Sequence, residues 1–139
     1  MRILGLDLGS RTCGVAVSDV MGMIARPVAT IRFDEDDYEN CLKQLETYLK
    51  EFQIKKIVLG LPKHMNGDVG IRGEISIAFK KRLEEMGLEV VLRDERLTTV
   101  AANRILISAD VSRKKRKQVI DQMAAVQILQ SYLDYSNRG

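Results

Sequence analysis

The spacing of apolar positions changes period along this chain, and each change marks an element. Residues 2–8, RILGLDL, are a short apolar run with one acid inside it. Residues 13–20, CGVAVSDV, alternate and are rich in valine, and residues 23–31, MIARPVATI, continue as a third strand-like run. The links between these runs are short and contain glycine, which predicts an antiparallel meander. Pro27 marks the third strand as an edge or a bulge, because proline cannot donate to a ladder. The period then becomes helical: FDEDDYENCLKQLETYLKEF places Tyr38, Leu42, Leu45, Leu49 and Phe52 on one face, with acids in its first turn. KKIVLGL follows as a fully apolar strand, and PKHMNGDVG, residues 62–70, as a loop. Helical spacing returns over 71–86, through Ile71, Ile75, Phe79, Leu83 and Met86, and stops at Gly87. LEVVLRDE is a fifth strand, Thr98 or Thr99 caps a short helix through Leu106, SRKKRK is a basic loop, and 118–135 form a last helix.

This order, βββ-α-β-α-β-α(α), predicts an α/β fold. Strands separated by helices pair in parallel through right-handed crossovers, while the first three form an antiparallel half. The expectation is a mixed five-stranded sheet with helices on both faces, the order shared by ribonuclease H-like domains. At 139 residues the chain is expected to form a single domain over 1–139, long enough to bury about two-thirds of its unfolded surface.

Composition narrows the picture only slightly. A hydrophobic fraction of 45% and a charged fraction of 29% are those of an ordinary globular protein. The net charge of +3 excludes no partner, so local clustering matters more. Cys13 and Cys41 form no C-x-x-C pair and read as reduced core thiols, and a lone histidine, His64, gives no structural zinc site. The start MRILGLDLG lacks a signal-peptide pattern, and no apolar run reaches the roughly 18 residues of a membrane span. The expectation is a cytoplasmic protein with no membrane partner.

The chemistry lies in acids where acids are out of place. Asp7 interrupts the first strand between Leu6 and Leu8, although Asp is depleted in strands. Asp94 and Glu95 end the last strand, and in parallel α/β regions ligands gather beyond the carboxyl ends of strands. Asp121 opens the last predicted helix, with Ala124, Ala125 and Ile128 at helical spacing from it. Gathering such acids costs energy: two like charges about 4 Å apart repel by about 4 kcal/mol at an effective dielectric of 20. A divalent cation offsets that cost, and hard oxygen ligands suit Mg²⁺ or Mn²⁺. Two such ions can hold an attacking water and a leaving oxygen in line at a phosphodiester. Each acid also has an ordinary explanation: a hydrogen bond to a loop for Asp7, an ion pair with Arg93 or Arg96 for Asp94, and a helix-terminal charge for Asp121. Asp19 reads as a turn residue. Only the combination points to a site, with Asp94 or Glu95 as its middle ligand.

Five consecutive cations, Arg113, Lys114, Lys115, Arg116 and Lys117, precede the Asp121 helix. They read either as a solvated run or as a phosphate-neutralising patch with salt-sensitive nucleic-acid binding. Arg11, Lys63, Arg72, Arg93 and Arg96 extend that candidate surface, and His64 and Asn66 in the 62–70 loop are candidate phosphate contacts. Three Phe, four Tyr and no Trp give no base-stacking platform, so backbone and shape recognition fit better.

The segments GLDLGSRTCGVAVSD (5–19), VLGLPKHMNGDVG (58–70), RDERLTT (93–99) and IDQMAAVQILQSYL (120–133) together resemble the YqgF family of pre-16S rRNA nucleases and Holliday-junction-resolvase-like proteins. The resemblance spans almost the whole chain in order. It implies a ribonuclease H-like fold and a cytoplasmic bacterial enzyme that matures the 5′ end of 16S rRNA with a divalent metal. By motif match it carries the catalytic acids to Asp7, Glu95 and Asp121, with Asp94 the rival for the middle position. The leading expectation is a metal-dependent endonuclease acting on structured RNA, with Arg93 or Arg96 stabilising charge on the phosphate. A Holliday-junction DNA resolvase of the same fold, or a non-catalytic RNA-binding assembly factor, is the alternative. The sequence leaves a homodimer open.

Overall fold

The computed structural model describes residues 1–63, 69–97 and 113–137, with side chains described through residue 96 and again from 122. Three strands open the chain: β1 (Ile3–Leu8), β2 (Thr12–Ser18) and β3 (Ala25–Arg32). Helix α1 (Tyr38–Glu51), β4 (Lys56–Leu61), α2 (Ile71–Glu85) and β5 (Glu89–Asp94) follow, then a single 3₁₀ turn (Glu95–Leu97) and a long final helix α3 (Arg113–Ser136). The sheet order is β3-β2-β1-β4-β5. β1 pairs antiparallel with β2, β2 antiparallel with β3, and the β1–β4 and β4–β5 pairs are parallel. The mixed five-stranded sheet expected from the sequence is therefore the sheet observed, with β1 at its centre.

Pro27 satisfies both readings offered for it. β3 is an edge strand, and its register against β2 shifts between Val15 and Ala16, so that Val15 faces Ala29 while Ala16 faces Pro27. The residue passed over by that shift is Val28, so the bulge lies directly beside Pro27.

Alternation along β1 divides the core in two. Leu4, Leu6 and Leu8 point to the face covered by α1 and α2, where they pack with Cys13, Val15, Leu45, Leu59, Phe79 and Leu83. The opposite face receives α3, through Ala125, Ile128, Leu129 and Leu133 against Ala16 and Val58. Each fully buried leucine of this kind contributes about 1.5–3 kcal/mol. Gly5 is what allows α3 to lie so close: a Cβ there would stand 2.6 Å from Leu129 Cβ. Gln130 fastens the helix to the start of β3, accepting from the Ala25 amide at 2.9 Å and donating to the Met23 carbonyl at 2.9 Å.

The helix boundaries correct the sequence reading in three places. α3 begins at Arg113, so Arg113–Lys117 form its first turns rather than a loop, and Asp121 lies inside the helix rather than at its opening. Five cations in a row are compatible with a helix, because lysine and arginine are good helix formers. Of the stripe expected over 71–86, Ile75, Phe79 and Leu83 pack into the core, but Ile71 is 78% exposed and Met86, just past the helix, 39% exposed. The inward stripe is Gly73, Ser76, Phe79 and Leu83, where small residues let the helix approach the sheet. The helix expected from Thr98 or Thr99 through Leu106 lies outside the described residues. Both cysteines are buried and free. Asp19 is the turn residue expected: its Oδ1 accepts from the amides of Met23 and Ile24 at 2.7 and 3.0 Å. Among the described residues, no helix is long and apolar enough to cross a membrane.

Candidate active site

The carboxyl ends of β1, β4 and β5 open onto a cleft of about 520 Å³, lined among others by Asp7, Gly9, Ser10, Glu35, Asp36, Pro62, Arg72, Ile75 and Glu95. Asp7 reaches it because β1 alternation puts residue 7 on the face opposite Leu6 and Leu8. Glu95 reaches it because β5 ends at Asp94 and the 3₁₀ turn begins at Glu95. Its side chain lies over Gly60 of β4, where a Cβ would stand 2.7 Å from Glu95 Oε1 and 2.6 Å from Ile128 Cδ1. Two carboxylates nearly ninety residues apart in sequence thus meet across a glycine.

They meet closely enough to share a hydrogen bond. Burial pushes the Asp7 carboxyl well above the ordinary carboxylate range. The hydrogen bond with Glu95 and the charge of Glu95 raise it further, and the guanidinium of Arg72 pulls it back. Without a cation the pair is held at an electrostatic cost.

One wall of the cleft is a pair of loops tied by backbone hydrogen bonds. The Asp36 amide donates to Ser10 O at 2.8 Å, the Phe33 amide to Arg11 O at 3.0 Å, and the Gly9 amide to Thr12 O at 2.7 Å. Asp36 takes a left-handed conformation, φ 62°, a region in which Asp is among the more tolerant residues. The opposite wall is the first turn of α2. There Arg72 donates from Nη2 to Leu8 O at 3.2 Å and from Nη1 to the Tyr38 hydroxyl at 3.3 Å. The Tyr38 hydroxyl donates to Asp36 Oδ1 at 3.0 Å. The Tyr38 ring packs against Phe33 and Phe79, with centroids 5.8 and 6.5 Å apart.

The other sequence candidates are placed differently. Asp94 faces away from the cleft and accepts from Arg96 Nη2 at 2.7 Å and from the Arg96 amide at 2.9 Å, with Lys63 Nζ at 3.9 Å. The Arg96 hydrogen bonds, chiefly, hold its carboxyl below the usual range. Arg93 turns toward α3, where Nε donates to Ser131 Oγ at 2.9 Å and the guanidinium covers the Tyr135 ring at 5.2 Å. Arg11 pairs with Glu35 at 3.3 Å on the exposed rim. Asp121 and Arg113–Lys117 belong to the backbone of α3, but their side chains, like all of His64 and Asn66, lie outside the described residues. Among the described residues, no group of three acids, histidines or cysteines forms a ready metal cage. The structure brings together Asp7 and Glu95.

Three positions carry more of this site than the sequence suggested. Arg72 appeared only as one cation of a broad surface, Tyr38 only as a core-facing helical residue, and Gly60 only as part of an apolar strand. Gly60 had a signal, since glycine inside a strand often marks a close approach. Arg72 and Tyr38 had none, because their meeting depends on two separate helices.

Comparison with known proteins identifies the fold and the family. A protein of Geobacillus sp. (strain WCH70) bearing the name "Putative pre-16S rRNA nuclease" is 60% identical over 135 residues, covering 96% of this chain and 98% of its own. One of the same name from Bacillus subtilis (strain 168) is 58% identical over 138 residues, covering 99% and 100%. Among solved structures, T. thermophilus RuvC in complex with a Holliday junction substrate matches with a TM-score of 0.65 at 14% identity, covering 100% of this chain and 96% of that one. The fowlpox virus Holliday junction resolvase matches with a TM-score of 0.55 at 17% identity, covering 99% of each. These two likenesses establish the fold. The family model described as "RuvX: Holliday junction resolvase" matches residues 1–135, and on that match, with relatives this similar over nearly their whole length, the chain belongs to that family.

Proposed function

We propose that this protein is a metal-dependent endonuclease that hydrolyses phosphodiester bonds in structured RNA and processes the 5′ end of pre-16S rRNA in the cytoplasm. The observation that carries the reading is the hydrogen-bonded pair of Asp7 and Glu95 on the floor of an open cleft at the carboxyl ends of the strands. Their chemistry fits Mg²⁺ or Mn²⁺: both are hard oxygen donors, and burial together with the neighbouring Glu95 raises the Asp7 carboxyl, a cost that a bound cation would offset. Asp7 and Glu95 would hold the cation, with Asp121 as the third acid and a second ion as the two-metal form of the same proposal. When bound, the metal supplies the charge that acidifies an attacking water and offsets charge developing on the phosphate.

The chain's own residues do the rest. Asp7 and Glu95 present acceptor oxygens at the cleft floor and can receive the proton that water gives up. The Gly9–Ser10 and Glu35–Asp36 loops form a wall fixed by backbone bonds, so the reacting phosphate meets a preformed surface. The basic start of α3, Arg113–Lys117, supplies salt-sensitive attraction to the nucleic-acid backbone. Water's O–H is added across the P–O bond: its oxygen joins phosphorus, and the leaving ribose oxygen ends with a proton.

The names of the relatives support precursor 16S rRNA as substrate, and the family description supports a second reading, cleavage of four-way DNA junctions. A 5′-extended 16S precursor and a four-way junction offered together, with Mg²⁺ or Mn²⁺, separate the two. We expect preferential cleavage of the precursor and its loss in Asp7→Asn. Equal rates for wild type and Asp7→Asn would remove Asp7 from the mechanism.

A further inference from the structure

We infer that Arg72 is a catalytic residue, the cation that grips the scissile phosphate, and that Tyr38 is the residue that positions it. The inference rests on the nuclease reading above and extends it to a residue not counted among the acids or the basic run.

The argument begins with what the other cations are doing. Of those read from the sequence as phosphate partners, every one other than Arg72 whose side chain is described is engaged. Arg11 pairs with Glu35, Lys63 and Arg96 with Asp94, and Arg93 with Ser131 and the Tyr135 ring. Arg72 differs. Among the described residues it makes no ion pair within 4 Å. Its hydrogen bonds among the described residues go to neutral oxygens, Leu8 O and the Tyr38 hydroxyl. A guanidinium carries five N–H donors in a rigid fork, so donors remain for a ligand. Its charge is felt at Asp7, and it lines the same cleft as Asp7 and Glu95.

The support behind Arg72 is as specific as its position. Leu8 O fixes the guanidinium to the end of β1, one residue from Asp7. Tyr38 fixes it from the side, and Tyr38 is itself held by Asp36 and by the rings of Phe33 and Phe79. Two neutral acceptors orient the fork without neutralising it. A planar cation of this kind binds the non-bridging oxygens of a phosphodiester with two parallel hydrogen bonds. Those oxygens gain charge as water attacks, so the contact strengthens in the transition state and acts on kcat more than on KM.

The experiment compares Arg72→Gln, Arg72→Lys and Tyr38→Phe with wild type and Asp7→Asn on the precursor, with Mg²⁺ or Mn²⁺. Arg72→Gln should lower kcat by about 100- to 1,000-fold, the loss typical of one transition-state donor, with KM changed far less. Guanidinium ion at non-denaturing concentration should restore part of the rate to Arg72→Gln and none to Asp7→Asn. Arg72→Lys should fall between, and Tyr38→Phe should lower kcat with less effect than Arg72→Gln. A second measurement uses no turnover. In an Asp7→Asn background, adding Arg72→Gln should weaken RNA binding and reduce the slope of log affinity against log salt by about one. A near-wild-type kcat for Arg72→Gln beside an inactive Asp7→Asn overturns the assignment and spares the nuclease reading. A loss of kcat without guanidinium rescue, or an unchanged salt slope, also overturns it by showing a structural role. A wild type inert on both RNA and junction DNA defeats the nuclease reading and this inference with it.

Discussion

Removing the charge of Asp7 should abolish cleavage and yet make the metal-free protein more stable. Asp7 shares a hydrogen bond with Glu95, and burial together with that neighbour holds its carboxyl well above the usual range. The folded pKa therefore exceeds the unfolded one, near 3.9. The stability contributed by protonated Asp7 is complete below that unfolded value and is lost as pH rises through the folded pKa. Above the folded pKa, the ionised residue is a liability. Two carboxylates within hydrogen-bonding reach repel by about 4 kcal/mol at an effective dielectric of 20, and the charge of Arg72 and local relaxation offset part of this. Asn keeps the shape, drops the charge and can donate to Glu95. A net gain of about 1–3 kcal/mol is expected, roughly 3–10 °C in Tm for a domain of this size.

Thermal denaturation in EDTA at pH 5, 7 and 8.5 measures it. Asp7→Asn should melt above wild type, and the gap should widen with pH. Adding Mg²⁺ or Mn²⁺ should narrow the gap, because a ligand at ten times its Kd stabilises the wild type by about 1.4 kcal/mol and the variant less. If Asp7→Asn melts below wild type at pH 8.5 in EDTA, or the gap does not change with pH, the account of the carboxylate pair is wrong.

Gly60→Ala should cost both cleavage and stability, because its Cβ would stand 2.7 Å from Glu95 Oε1 and 2.6 Å from Ile128 Cδ1. We expect at least a tenfold loss of rate and about 1–3 kcal/mol of destabilisation, the range for overpacking, read by activity and melting on the same samples. Arg93→Ala should cost stability but not cleavage, since it loses the Ser131 bond and the contact with Tyr135. About 1–2 kcal/mol of stability should go, while kcat on the precursor stays within threefold.

The fold was legible because its signals are local. Valine-rich alternation, two helical periods and short glycine turns each select an element, and the order of elements limits the topology to a mixed sheet. Even Pro27 announced the bulge beside it. The errors fell where pattern and packing diverge. The helical stripe through Ile71 and Met86 followed hydrophobicity, but α2 approaches the sheet through Gly73 and Ser76, and close approach favours small residues over apolar ones. The basic run, read as a loop, forms the first turns of α3, where lysine and arginine are good helix formers.

The same distinction divides the site. An acid inside a strand, or at the end of one, breaks a local rule and can be seen in sequence, which is how Asp7, Asp94 and Glu95 stood out. Choosing between Asp94 and Glu95 needed only where β5 stops: residue 94 is held at the strand end by Arg96, and residue 95 turns over Gly60 toward Asp7. Arg72 breaks no local rule. An arginine in the first turn of a helix is unremarkable until another helix sets a tyrosine beside it and a strand end gives it a carbonyl. Its sequence candidates for that work, Arg93 and Arg96, sit closer to the acids along the chain, yet closeness in sequence supplied each of them with a partner elsewhere. Among the described residues lining this cleft, Arg72 is the cation, and tertiary structure rather than sequence proximity delivers it to Asp7.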